Sequence, residues 1–154
     1  MTRTPSQIGR ANRRNGRQTE RAVRYYLRTW WPEIDYTHPG GPGRKHDDDR
    51  GDLGPLVDRD DDHWTVEVKG PRANPLPGDV DRWAAEAEAE ANAAGMGGLW
   101  VLIVRRPGCA DVARWHAWVP VWAISTGKRV GIPADDLACV TVRTWVALTA
   151  PAPF

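Results

Sequence analysis

From Gly16 onward the apolar residues recur with a helical period, because Ala22, Val23, Tyr26, Leu27 and Trp30 fall on one stripe and Pro32 ends the run. Residues 34–37 read as a short strand ahead of a glycine-rich loop. Residues 53–57 and 64–69 then read as strands, and the turn residues Asp60, Asp61 and Asp62 between them predict an antiparallel pair. Pro55 makes the first of these an edge or distorted strand. After a loop over 71–78, Asp79 is the expected cap of a helix whose inner face is Val80, Trp83, Ala84, Ala87, Ala91 and Ala94, with Gly95, Gly97 and Gly98 ending it. The apolar run 99–104 has the form of a central strand, and Pro107-Gly108 turns the chain into another over 112–119. Val140, Val142 and Val146 fit either a strand or a short helix, and 150–154 reads as a loose end.

This order of helix, strands, helix and strands predicts an α/β fold with a mixed central β-sheet flanked by helices. With 154 residues the chain fits one domain, here residues 16–150, preceded by a flexible basic arm over 1–15. No apolar run approaches the length of a membrane span and no signal-peptide pattern opens the sequence, so the expectation is a soluble, cytoplasmic protein with no membrane partner.

Charge changes the picture more than composition does. The net charge is only +1, yet Arg3, Arg10, Arg13, Arg14, Arg17, Arg21, Arg24 and Arg28 crowd the first segment against a single acid, Glu20. The balancing acids gather at Asp47, Asp48, Asp49, Asp52, Asp58, Asp60, Asp61 and Asp62. Such asymmetry sustains a strong local field without a basic whole. At about 100° per residue, Arg17, Arg21, Arg24 and Arg28 form a second stripe beside the apolar one, with Glu20 between the two.

Rival chemistry is thin. Cys109 and Cys139 form no C-x-x-C pair, and the four histidines lack metal-ligand spacing. The run from Asp58 starts with the spacing of a calcium loop, but His63 occupies the position that needs glycine and Lys69 the one that needs a bidentate glutamate. A solvated hairpin turn accounts for it better. Trp64, Trp83, Trp100, Trp115, Trp118 and Trp122 lie inside expected elements and read as core or dimer-contact residues. Trp30-Trp31 reads as exposed surface, since adjacent indoles on a helix cannot both face inward.

The candidate chemistry lies in Glu67-Val68-Lys69, with Asp52 upstream. On a strand, positions i and i+2 share a face, so Glu67 and Lys69 point one way and Val66 and Val68 the other. In isolation such a pair is an ordinary ion pair on a solvated strand. The ordered set changes that reading, because an aspartate opening one strand and Glu-x-Lys on the next resembles the PD-(D/E)xK nuclease superfamily, from about residue 16 to 119. Within it the chain looks most like the small Holliday junction resolvases of archaea and phages. The glutamate of Gly16-Arg17-Gln18-Thr19-Glu20 falls on the early helix, and the loop His38-Pro39-Gly40-Gly41-Pro42-Gly43-Arg44 precedes Gly51-Asp52-Leu53. Gly51 stands where a proline often precedes the aspartate.

The resemblance implies a restriction-endonuclease-like core and a Mg2+-dependent, structure-selective endonuclease that hydrolyses phosphodiesters in Holliday junctions or related branched DNA, with Mn2+ as a substitute ion. It implies Asp52 and Glu67 as metal ligands with the carbonyl of Val68 as a third. Lys69 would orient or help deprotonate the attacking water, and Glu20 would complete the catalytic set. Arg17, Arg21, Arg24, Arg28, Arg44 and Lys45 become the DNA contacts, and a homodimer matches the two symmetry-related strands of a junction. Recombination, replication or repair, in a bacterium or a phage-infected cell, is the implied setting. The alternatives are a nuclease of the same superfamily acting on linear, mismatched or single-stranded DNA, and a DNA-binding module that keeps the fold without turnover.

Overall fold

The structure, a computed structural model, describes residues 5–32, 34, 53–95, 98–125 and 136–151. A long helix, α1 (Pro5–Leu27), leads into the strands β1 (Leu53–Val57) and β2 (His63–Lys69). Helix α2 (Asp79–Ala93) crosses to β3 (Trp100–Val104), a single 3-10 turn (Val112–Arg114) precedes β4 (His116–Pro120), and α3 (Val121–Ile124) follows. The chain closes with β5 (Leu137–Thr141) and α4 (Val142–Thr149). The five strands form one sheet in the order β1-β2-β3-β4-β5, in which only β2 and β3 run parallel. That pair is parallel because α2 carries the chain back across the sheet before β3 begins.

The sheet is covered on both faces by helices, which makes the architecture α/β. On one face Val23 and Leu27 of α1, together with Val142, Trp145 and Val146 of α4, pack against Leu53, Leu56, Trp64, Val66, Val68, Val101 and Ile103. On the other face Ala84, Ala87 and Ala91 of α2 sit on Trp100, Leu102 and Val104. Alanines on the inner stripe let α2 approach the strands closely, so that a side chain on its flank reaches β2.

Several expected elements take a different form. α1 begins at Pro5 and not at Gly16, so residues 5–15 of the expected arm are helical. Gly78, at φ 83°, is the residue before α2, and Asp79 is its first member, with its carboxylate accepting from the Leu76 N–H at 2.9 Å. Residues 112–114 are a 3-10 turn and not strand, held by Asp111, whose carboxylate accepts from the Ala113 N–H at 3.0 Å. Ala150 is buried and donates its N–H to Val146 at 2.8 Å, so that residue is no loose end.

The tryptophans Trp31, Trp64, Trp100, Trp115 and Trp145 are all core. The expectation of an exposed Trp30-Trp31 pair fails: α1 ends at Leu27, the chain turns, and Trp31 enters the core while Trp30 packs at its edge against Tyr26. The Trp31 indole donates to the Val57 carbonyl at 2.6 Å and stacks on Trp145 at 5.7 Å. The acidic hairpin turn between β1 and β2 is organised by Asp58, whose carboxylate accepts from the N–H groups of Asp60 and Asp62 and from the Trp64 indole at 2.8 Å. Side-chain capture of backbone donors accounts for the aspartate at position 58. Residue 34 is buried outside any strand, and residues 35–37 of the expected strand lie outside the described residues.

Candidate functional site

β2 is buried on both faces, and alternation along it sends Trp64, Val66 and Val68 toward α1 and α4 while Thr65, Glu67 and Lys69 face α2. Glu67 lies in register with Leu102 and Lys69 with Val104, both on the alanine-lined side. Glu67 is only 5% exposed. A carboxylate at that depth demands compensation, and it is supplied by the Lys69 ammonium, 2.7 Å from Glu67 Oε1. The same ammonium lies 2.9 Å from Glu86 Oε2 on α2. One cation thus bridges two acids from different elements; that Glu67 and Lys69 share a face was expected from their spacing, whereas Glu86 was not singled out.

Burial alone would lower the Lys69 pKa, but hydrogen bonds and charge from Glu67 and Glu86 outweigh it and hold the value above that of a free lysine. Lys69 is accordingly an ammonium at neutral pH, a donor and a positive charge rather than a base. With the folded value raised, its stabilising contribution is complete below the ordinary lysine pKa of about 10.4 and is lost as pH rises through the folded value.

The ladder places the backbone ligand candidate as well. Thr65 donates its N–H to the Leu99 carbonyl and the Lys69 carbonyl accepts from Arg105, so alternate residues Thr65, Glu67 and Lys69 bond to β3. The carbonyl of Val68 is therefore turned to the β1 side. Asp52, Arg44 and Lys45 lie outside the described residues. β1 starts at the residue after Asp52, and that residue, Leu53, is paired with Val66, the neighbour of Glu67. Among the described residues no group of three or more His, Cys, Asp and Glu side chains is gathered so as to hold a metal ion. The oxygen donors that are present, a buried carboxylate and a main-chain carbonyl, are of the hard type that Mg2+ takes.

Glu20 is half-buried on α1, which covers the opposite face from α2, and among the described residues it makes no hydrogen bond or ion pair to Glu67 or Lys69. Its helix nevertheless reaches the same end of β2. The Asn15 amide donates to the Gly70 carbonyl at 2.7 Å, and the Thr19 hydroxyl, bonded back to the Asn15 carbonyl, lies against Gly70. A Cβ at Gly70 would collide with Thr19 Oγ1 and come within 3.0 Å of Thr19 Cβ. Gly70→Ala is expected to destabilise the protein by about 1–3 kcal/mol, because α1 or the end of β2 must shift. An unchanged denaturant midpoint would show that the contact yields freely.

On the outer side of α1, Arg14, Arg17 and Arg21 are exposed and Arg24 is half-buried, while Arg28, just beyond its end, is exposed. Tyr25, 77% exposed, stands among them, an aromatic that the helical periodicity alone gave no reason to single out. The described cysteines are both free. Among the described residues no helix is long and apolar enough to cross a membrane.

No protein-family model matches the chain, and comparison with curated proteins and with solved structures gives no match either.

Proposed function

We propose that the protein is a Mg2+-dependent DNA endonuclease of the PD-(D/E)xK type, selective for Holliday junctions or related branched DNA. The observation that carries the reading is the buried Glu67 carboxylate in contact with the Lys69 ammonium on one face of β2, beside a strand that starts directly after Asp52. A bare pair of acids would repel a phosphodiester, by about 4 kcal/mol per pair of like charges 4 Å apart at an effective dielectric near 20. Asp52, Glu67 and the Val68 carbonyl would hold the ion, which when bound supplies Lewis-acid polarisation of the phosphate and an acidified water. Mn2+ meets the same requirements.

Lys69 keeps its proton on Nζ, donates to a phosphate oxygen and balances the negative charge that builds there. That assignment narrows its role, since an ammonium bracketed by two carboxylates does not accept a proton from water. Glu20, on the helix whose Asn15 and Thr19 meet Gly70 at the end of β2, is the fourth member of the proposed set. Selectivity for branched DNA and the homodimer rest on the resemblance of the ordered motifs.

The test is incubation of end-labelled four-way junction, fork and linear duplex with purified protein and Mg2+. Paired symmetrical nicks confined to the junction support the reading. Equal digestion of duplex moves the assignment to a general nuclease of the same type, and binding without cleavage in either ion moves it to a non-catalytic DNA-binding module.

The arginines of α1 are the proposed phosphate contacts, together with Arg44 and Lys45. Arg17→Ala combined with Arg21→Ala, both exposed, is expected to weaken junction binding and to lower the magnitude of the salt slope by about 1.8, at about 0.9 per phosphate contact. A slope unchanged across a salt titration would take these side chains off the DNA.

A further inference from the structure

We propose that Glu86 is a positioning residue, the counter-anion that keeps the Lys69 ammonium at the site while the Glu67 carboxylate serves a divalent cation. This rests on the nuclease reading above. The Lys69 ammonium touches two acids, Glu67 at 2.7 Å on the strand and Glu86 at 2.9 Å on the helix. An ammonium has three donors, so it can serve both at once. When Glu67 turns its charge to a cation, the attraction that held Lys69 is spent and a like charge stands beside it. A lysine on a flexible four-carbon stem, with its side chain 26% exposed, would then swing into water.

Glu86 prevents this because it is fixed on an element that cannot slide. Its neighbour Ala87 is fully buried, and Ala84 and Ala91 lock the same helix onto Trp100, Leu102 and Val104. Nor is Glu86 drawn off by the arginine one turn earlier. Arg82 is paired with Asp79 at 2.8 Å. The two carboxylates differ in setting, since the Glu67 side chain is 7% exposed and that of Glu86 46%. The buried acid suits the ion, and the more exposed acid suits the tether.

The experiment uses the full-length protein labelled with nitrogen-15 and carbon-13, with the Lys69 ammonium resonance assigned by its loss in Lys69→Met. In Glu67→Gln, which removes the strand carboxylate charge, the resonance is expected to stay protected from solvent exchange. In Glu67→Gln combined with Glu86→Gln it is expected to vanish. Loss in the single variant, persistence in the double variant, or no protected resonance in the parent protein would each overturn the proposal. A Mg2+ titration of the parent protein read at the Glu67 carboxyl carbon reports on the nuclease reading alone, because an unmoved signal there rejects the metal site and leaves the Lys69 comparison intact. On cleavage, Glu86→Gln is expected to lower kcat by about tenfold with KM unchanged, and a rise in KM alone would count against a positioning role.

Discussion

Glu67→Gln is expected to reduce junction cleavage by at least about 10³-fold, equivalent to about 4 kcal/mol in the barrier, while affinity for the junction stays nearly constant. The amide matches the carboxylate in shape but carries no charge, so it loses the main attraction for a hard cation. Global unfolding is not the route to the loss. Lys69 keeps Glu86 as its partner in the variant, so no ammonium is stranded. Truncating one member of a buried pair is costly chiefly when the other is left alone, and here it is not. Cleavage assays and gel-shift titrations on the same preparation separate the two effects. Unchanged turnover would remove Glu67 from the chemistry and with it the assignment of Asp52.

Trp145→Ala is expected to cost about 3–5 kcal/mol, a large fraction of the 5–15 kcal/mol typical of a domain. Trp145 is fully buried, stacks on Trp31 with a centroid distance of 5.7 Å and meets the edge of Trp64 at 5.8 Å. Removing it leaves a void between α4, the start of β2 and the segment after α1. Trp145→Phe is expected to be far milder, since the Trp145 Nε1 proton is buried without a hydrogen-bond partner and its removal relieves that cost. Thermal unfolding resolves the pair, with a fall of roughly 10 °C or more for alanine. A shift of only a few degrees for alanine would mean that α4 is not integral to the core.

The sequence made the parts with strong periodicity legible. Val23 and Leu27 on α1, the hairpin β1–β2 and the alanine stripe of α2 were all readable, because each buries one face and the period reports it. Residues 5–15 are not legible as helix, since a stretch rich in arginine and asparagine has no apolar period to reveal it. The burial of Trp31 is hidden for a related reason, since the helix has already ended at Leu27 and adjacent indoles no longer follow its period. In the site, Glu67 and Lys69 were evident from their spacing on one strand. Glu86 was hidden, because its contact with Lys69 depends on how closely α2 seats on β3, a packing distance set by Ala84, Ala87 and Ala91 together. The place of Glu20 is not legible from its spacing, because a position between two stripes on a helix says nothing about which side of the sheet that helix covers.

The parallel pairing of β2 and β3 also orders events during synthesis. Glu67, Lys69 and Glu86 all belong to the strand–helix–strand unit from His63 to Val104, whereas the tryptophan wedge gathers Trp31, Trp64 and Trp145 from three distant stretches. A chain emerging from the ribosome with its N-terminus first can thus close its acid–lysine arrangement long before the last helix is available. Until Trp145 emerges, the reverse side of the same sheet has only α1 to cover it, and the apolar ground that α4 will take stays open while the charged centre is already in place.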